Sequence, residues 1–105
     1  MVLTRDGQIA HLDSQIRLTQ SHIDKLNKNL EQAIERAAEF ERKGEEPSKE
    51  LVANIDSLRA QIAENTTFIE TKRREQEAIR KRFETDIARF HELKGKGQKA
   101  SAAKN

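Results

Sequence analysis

The stretch Glu39-Phe-Glu-Arg-Lys-Gly-Glu-Glu-Pro-Ser-Lys-Glu-Leu51, EFERKGEEPSKEL, holds the chain's one proline and one of its four glycines. Long segments without helix breakers flank it, so its reading decides the architecture. Arg42 and Lys43 place cations where a helix end favours them. Gly44 then supplies the left-handed position that commonly follows a helix. Glu46 and Glu50 put negative charge near the next helix start, and proline suits a first turn because its missing N–H has no partner there. The stretch therefore reads as a reversal between two helices. A single straight helix is the rival, disfavoured by proline and glycine standing so close together.

Apolar residues before the turn fall at Ile9, Leu12, Ile16, Ile23, Leu26, Leu30, Ala33, Ala37 and Phe40, alternating steps of three and four, with Thr19 filling the gap. This heptad period keeps one stripe of a helix facing a partner. After the turn the rhythm resumes at Leu51, Ile55, Leu58, Ile62, Ile69, Ile79, Phe83, Phe90 and Leu93, passing through Asn65, Lys72, Gln76 and Asp86 as polar seam positions. Ile87 is expected to take over the inward role of Asp86 by a local shift of phase.

The predicted fold is all-α: an antiparallel two-helix hairpin, or coiled coil, over residues 1–93. The expected elements are a helix 4–43, a turn 44–46 and a helix 47–93. A short connection makes the helices antiparallel neighbours. Leu26 and Leu30 should then lie opposite Ile62–Asn65, Ile9 and Leu12 opposite Ile79–Phe83, and Phe40 close to Leu51. The polar group Asn65, Lys72 and Gln76 should face Ile16–Ile23, either fixing the register or admitting water. Residues 94–105 hold four lysines, two glycines and no acid, and read as a disordered tail. These lysines turn a balance of −2 over residues 1–93 into the chain's +2.

Composition agrees with long helices. Ala, Glu, Lys, Leu and Arg make up 53 of 105 residues, and Leu, Ile, Val and Phe only 23, too few for a thick core. Ile34, Val52, Phe68 and Ile87 flank the seam and are the candidate interaction apolars. Apolar groups at such positions commonly pack a third or fourth helix. A homodimer forming a four-helix bundle and a free two-stranded hairpin stand as equal alternatives.

Chemistry-bearing patterns are scarce. The chain has no cysteine, hence no disulfide or thiolate metal site. His11 and His22 stand about 16 Å apart along one helix at 1.5 Å per residue. No pair of ligand histidines at metal-binding spacing occurs, so neither metal nor other cofactor is expected. Carboxylate neighbours such as Glu75 and Glu77 lack the sheltered pocket that acid–base work needs. "KGKGQK" lacks the strand and helix that flank a phosphate loop. The expectation is a protein that is not an enzyme.

A basic surface is the remaining candidate. TKRREQEAIRKRF carries Lys72 with Arg73, Arg74, Arg80, Lys81 and Arg82, which with the lysine tail could meet phosphates or an anionic surface. Interleaved Glu70, Glu75, Glu77 and Glu84 offer neutralising pairs, Glu77 with Lys81 among them. No Tyr or Trp is present to stack on bases. The favoured function is a non-catalytic protein–protein interaction or assembly module, its partner another protein or itself. The alternative is a weak nucleic-acid or anionic-surface binder, and nucleic acid is the disfavoured partner.

IAHLDSQI (residues 9–16) and the run from FERKGEEPSKEL through IARFHELK (residues 40–94) resemble a helical region of uncharacterised proteobacterial envelope proteins. There it resembles a coiled-coil extension that follows a small domain. The likeness covers roughly residues 5 to 93 and lies in the heptads, the basic-Gly-Glu-Pro turn and the aromatic end at Phe83 and Phe90. It implies a bacterial, periplasmic fragment with no catalytic residue, and it transfers no site. Taken as it stands, the chain shows no signal-peptide pattern and no membrane span, which predicts a cytoplasmic location.

Overall fold

A computed structural model describes the backbone of residues 4–103 and the side chains of residues 4–94. It consists of two helices, α1 (Arg5–Arg42) and α2 (Lys49–Ala103), packed antiparallel. The hairpin is a rod with extents of 93 × 25 × 15 Å.

α1 starts at a built cap. Thr4 is extended, and its Oγ1 accepts the Gly7 N–H at 3.1 Å. The Gln8 N–H donates to the Thr4 carbonyl at 2.8 Å. Asp6 adds negative charge to the first turn. These contacts offset the helix-weakening effect of Gly7.

The reversal is a Schellman motif. Gly44 takes φ +74°, its N–H donates to the Glu41 carbonyl at 3.0 Å, and the Glu45 N–H donates to the Phe40 carbonyl at 2.9 Å. Apart from Gly44 and its two chain neighbours, no atom lies within 4 Å of where a Cβ at Gly44 would stand. Backbone sign, and not crowding, therefore asks for glycine here.

One expectation at the turn is corrected. Pro47 does not occupy the first helical turn; α2 begins at Lys49. Ser48 is the capping residue, its Oγ accepting the Leu51 N–H at 3.2 Å and its carbonyl accepting the Val52 N–H at 3.1 Å. A serine oxygen satisfies a free N–H of the first turn, which proline cannot do. Pro47 stands one residue outside the cap, where it holds Glu46 away from helical backbone.

The core follows the heptad stripe. Leu12, Ile23, Leu26 and Ala33 are buried from α1, and Leu58 and Ile69 from α2. Leu26, Ala33 and Leu58 form a cluster against which Leu30, Leu51, Ile55 and Ile62 pack. Ile62, from the region expected opposite Leu26 and Leu30, is among the residues packed on this cluster. The core is one stripe deep, and even its most enclosed member, Ala33, keeps 3% of its surface exposed. Two helices have only one mutual face, so no side chain can be surrounded.

The far end departs from expectation. Arg5, the first residue of α1, lies with its guanidinium carbon 4.0 Å from the centroid of the Phe83 ring. Past Phe83, α2 runs on without α1 beside it. Asp86 and Ile87 are both exposed, so no phase shift brings Ile87 inward. Phe90 and Leu93 are 63% and 69% exposed and are not seam residues. Their stripe position is right, but the opposing helix has ended.

α2 also continues to Ala103 and does not close near Leu93 with a disordered tail after it. Lysine, glutamine and alanine are good helix formers, and Gly95 and Gly97 each cost only about 1 kcal/mol. The side chains of 95–103, and residues 104–105 altogether, lie outside the described residues.

Candidate interaction surfaces

Polar chemistry in the seam concentrates at one residue. Gln76 is buried at 5% exposure. Its Nε2 donates across to α1 twice, to the Asp13 Oδ1 at 2.6 Å and to the Ile9 carbonyl at 3.1 Å. The charge-assisted bond to Asp13 is the stronger kind, and a buried amide left unpaired is costly. This arrangement ties one position of α2 to one turn of α1. It lies at Ile9–Asp13, outside the Ile16–Ile23 stretch expected for it.

The other polar seam residues do not bridge the helices. Asn65 Nδ2 donates to the Gln61 carbonyl of its own helix at 2.7 Å. Thr19 Oγ1 likewise donates to the Gln15 carbonyl at 2.8 Å. Lys72 is half-buried along its stem and turns its ammonium outward, 3.4 Å from Glu75 Oε1 and 5.1 Å from the Phe68 ring centroid. Among the described residues, no buried side-chain nitrogen or oxygen lacks a hydrogen-bond partner. Bonding within each helix satisfies these groups without fixing the register.

The four flanking apolars divide into three places. Ile34 and Val52, 42% and 44% exposed, come together near the turn. With Ala37, Ala38, Pro47 and Ile55 they line a groove of about 340 Å³ rimmed by Glu41, Asp56 and Arg59. Pro47 and Val52 hold the positions of a hydrophobic staple around the Ser48 cap, so the motif that starts α2 also floors this groove. Phe68 sits mid-rod beneath Lys72. Ile87 stands on the unpaired end of α2 with Phe90 and Leu93. Leu18, the most exposed large apolar side chain among the described residues at 74%, lies off the heptad stripe.

The basic residues Arg73, Arg74, Arg80, Lys81 and Arg82 are all exposed on α2. Arg80 reaches Glu77 Oε2 at 4.0 Å, the limit of an ion pair. Glu77 therefore pairs with Arg80, and the expected Glu77–Lys81 pair does not form. Arg82 shares a shallow hollow with Arg5, Gln8, Ile79, Phe83 and Asp86. His11, His22 and His91 are exposed, with His91 meeting the Phe90 ring edge-on at 6.0 Å. Among the described residues, no three His, Asp or Glu side chains gather as a metal site. No described helix is long and apolar enough to cross a membrane.

Comparison with protein-family models, curated proteins and solved structures finds no match.

Proposed function

We propose that this chain is a non-catalytic helical-hairpin module for protein–protein assembly, taking a second copy or another protein along the groove beside its seam. The groove between Ile34 and Val52 carries this reading. Each helix contributes one exposed branched side chain to it, and small or rigid apolar residues make its floor. A helix laid there meets both α1 and α2, the contact a four-helix bundle makes. Acidic and basic groups at its rim would orient the incoming helix more than they would hold it.

The double variant Ile34→Glu, Val52→Glu tests it. The unmodified chain is expected either to sediment above its 12.1 kDa single-chain mass or to retain a protein partner from native lysate through high salt. The double variant should lose whichever of the two is seen. A chain that stays single and retains nothing at high salt refutes the reading.

One observation favours the alternative, binding of nucleic acid or an anionic surface. The stripe Arg73–Arg82 is less neutralised than its interleaved glutamates suggest, with Arg80 alone of the five candidate cations within ion-pair distance of a carboxylate. Phosphate contacts weaken steeply with salt. Retention on a nonspecific duplex at 50 mM salt, lost by 200 mM, would support this reading, and no retention at low salt would end it. The resemblance to envelope coiled coils adds a periplasmic location to the proposal. Cell fractionation that finds the chain wholly in the cytoplasm would remove it.

A further inference from the structure

The unpaired end of α2 keeps the pattern that builds the hairpin. Phe83, Ile87, Phe90 and Leu93 fall within an arc of about 120° on the helix surface at 3.6 residues per turn. The first of them packs at the start of α1, and the next three are 41%, 63% and 69% exposed. The established seam therefore continues past Phe83 onto open helix. Large apolar groups in such a row mark a contact surface more often than scattered single ones do.

We propose that this end of α2 pairs antiparallel with the same segment of a second copy, joining two hairpins tail to tail. Charge selects both the occupant and its direction. Asp86 and Lys94 stand on opposite sides of Phe90 and equally far from it in sequence. With a two-fold axis at Phe90, Asp86 of each copy comes level with the partner's Lys94, and Ile87 with the partner's Leu93. A parallel pair would instead set Asp86 beside Asp86 and Lys94 beside Lys94, like charges that repel. Gly95 and Gly97 come level with the partner's Thr85 and Phe83, where the partner's own α1 begins. That α1 already covers the stripe there. The two-fold requires α2 to leave the shared axis after Gly97, and the two glycines are its weakest helical points.

This inference shares with the assembly reading only the premise that the chain is a binding module. It does not use the Ile34–Val52 groove. About a dozen paired residues make a small interface, at the weak end of specific association. Sedimentation of the full chain should show one-chain mass at low micromolar concentration and move toward two chains by about 1 mM. Phe90→Glu should hold it at one chain, with helix content and melting unchanged because the site lies beyond the hairpin.

Because the chain lacks cysteine, Phe90→Cys gives a clean second readout. Two cysteines bond only when their Cα atoms lie within about 7 Å, which the two-fold allows at this position. Under a thiol oxidant, Phe90→Cys should form covalent dimer at least ten-fold faster than Ile34→Cys. Asp86→Lys and Lys94→Asp should each weaken the dimer, and together restore it. A single-chain mass at every concentration overturns the proposal and leaves a different protein as the cover. Faster cross-linking at Ile34→Cys also overturns it while supporting the groove. Cross-linking at Phe90→Cys, with no partner retained at high salt and no effect of Ile34→Glu, Val52→Glu on the assembly, overturns only the groove.

Discussion

Leu58 and Phe90 occupy the same stripe of the same helix, yet one is 7% exposed and the other 63%. The difference is not in α2. It lies in α1, whose first residue sits against Phe83 and which offers nothing farther along. A heptad stripe states that a helix face wants a partner; it does not state that this chain supplies one. The paired section and the bare section thus carry one message with two outcomes, folding in the first and a free surface in the second.

Removing apolar volume from each section should separate them most clearly. Leu58→Ala opens the cluster shared with Leu26 and Ala33 and is expected to cost about 2–4 kcal/mol. Urea unfolding followed by circular dichroism, at concentrations where the chain is single, measures it. Comparable losses from Leu58→Ala and Phe90→Ala would break the comparison, because they would mean that the end of α2 is covered within one chain.

Register offers the next test. Gln76→Leu should destabilise by about 1–2 kcal/mol, since it strands the Asp13 carboxylate and the Ile9 carbonyl. Replacing Asp13 with leucine as well should recover most of this, as loss of both partners leaves nothing stranded. Asn65→Leu should be neutral or stabilising with the helix pairing unaltered, because Asn65 bonds only its own helix. Failure of the Asp13 variant to rescue Gln76→Leu would show that packing, and not the cross-helix bond, sets the cost.

Smaller effects come from the ends of the paired section. Ser48→Ala removes the oxygen that caps α2 and should cost about 1 kcal/mol. At the other boundary, Phe90→Ala should move the single-chain melting curve by less than about 0.5 kcal/mol, the range of ordinary surface changes. Amide exchange resolved by residue sharpens the same point. Protection should fall past Phe83, where the helix opens without breaking tertiary contacts. Even protection along all of α2 would contradict that boundary.

Much of this is legible in the sequence. The reversal at Gly44, the stripe from Ile9 to Phe40 and its continuation from Leu51 to Phe83 follow from helical period and breaker chemistry. Three things were not legible as read. The capping role of Ser48 depends on a local competition with Pro47 that both residues fit on paper. The choice of Gln76 over Asn65 as the cross-helix residue depends on axial register, which a seven-residue repeat leaves free to slide. Phe90 and Leu93 look like core by period alone. The helix lengths held the clue, since a second helix longer than the first must outrun it. The groove at Ile34 and Val52 was half visible: both residues were candidates, but their meeting needed the hairpin closed.

The Gln76–Asp13 bond and the Gly44 reversal stand far apart along the paired section. Between them lies only repeated seam. That separation makes the rod an adjustable spacer. Seven residues added to each helix between these two points would extend it by about 10 Å, one further heptad or about two helical turns on each side. Neither the closing bond nor the tip would need to change. Reach, in such a molecule, can evolve independently of either end.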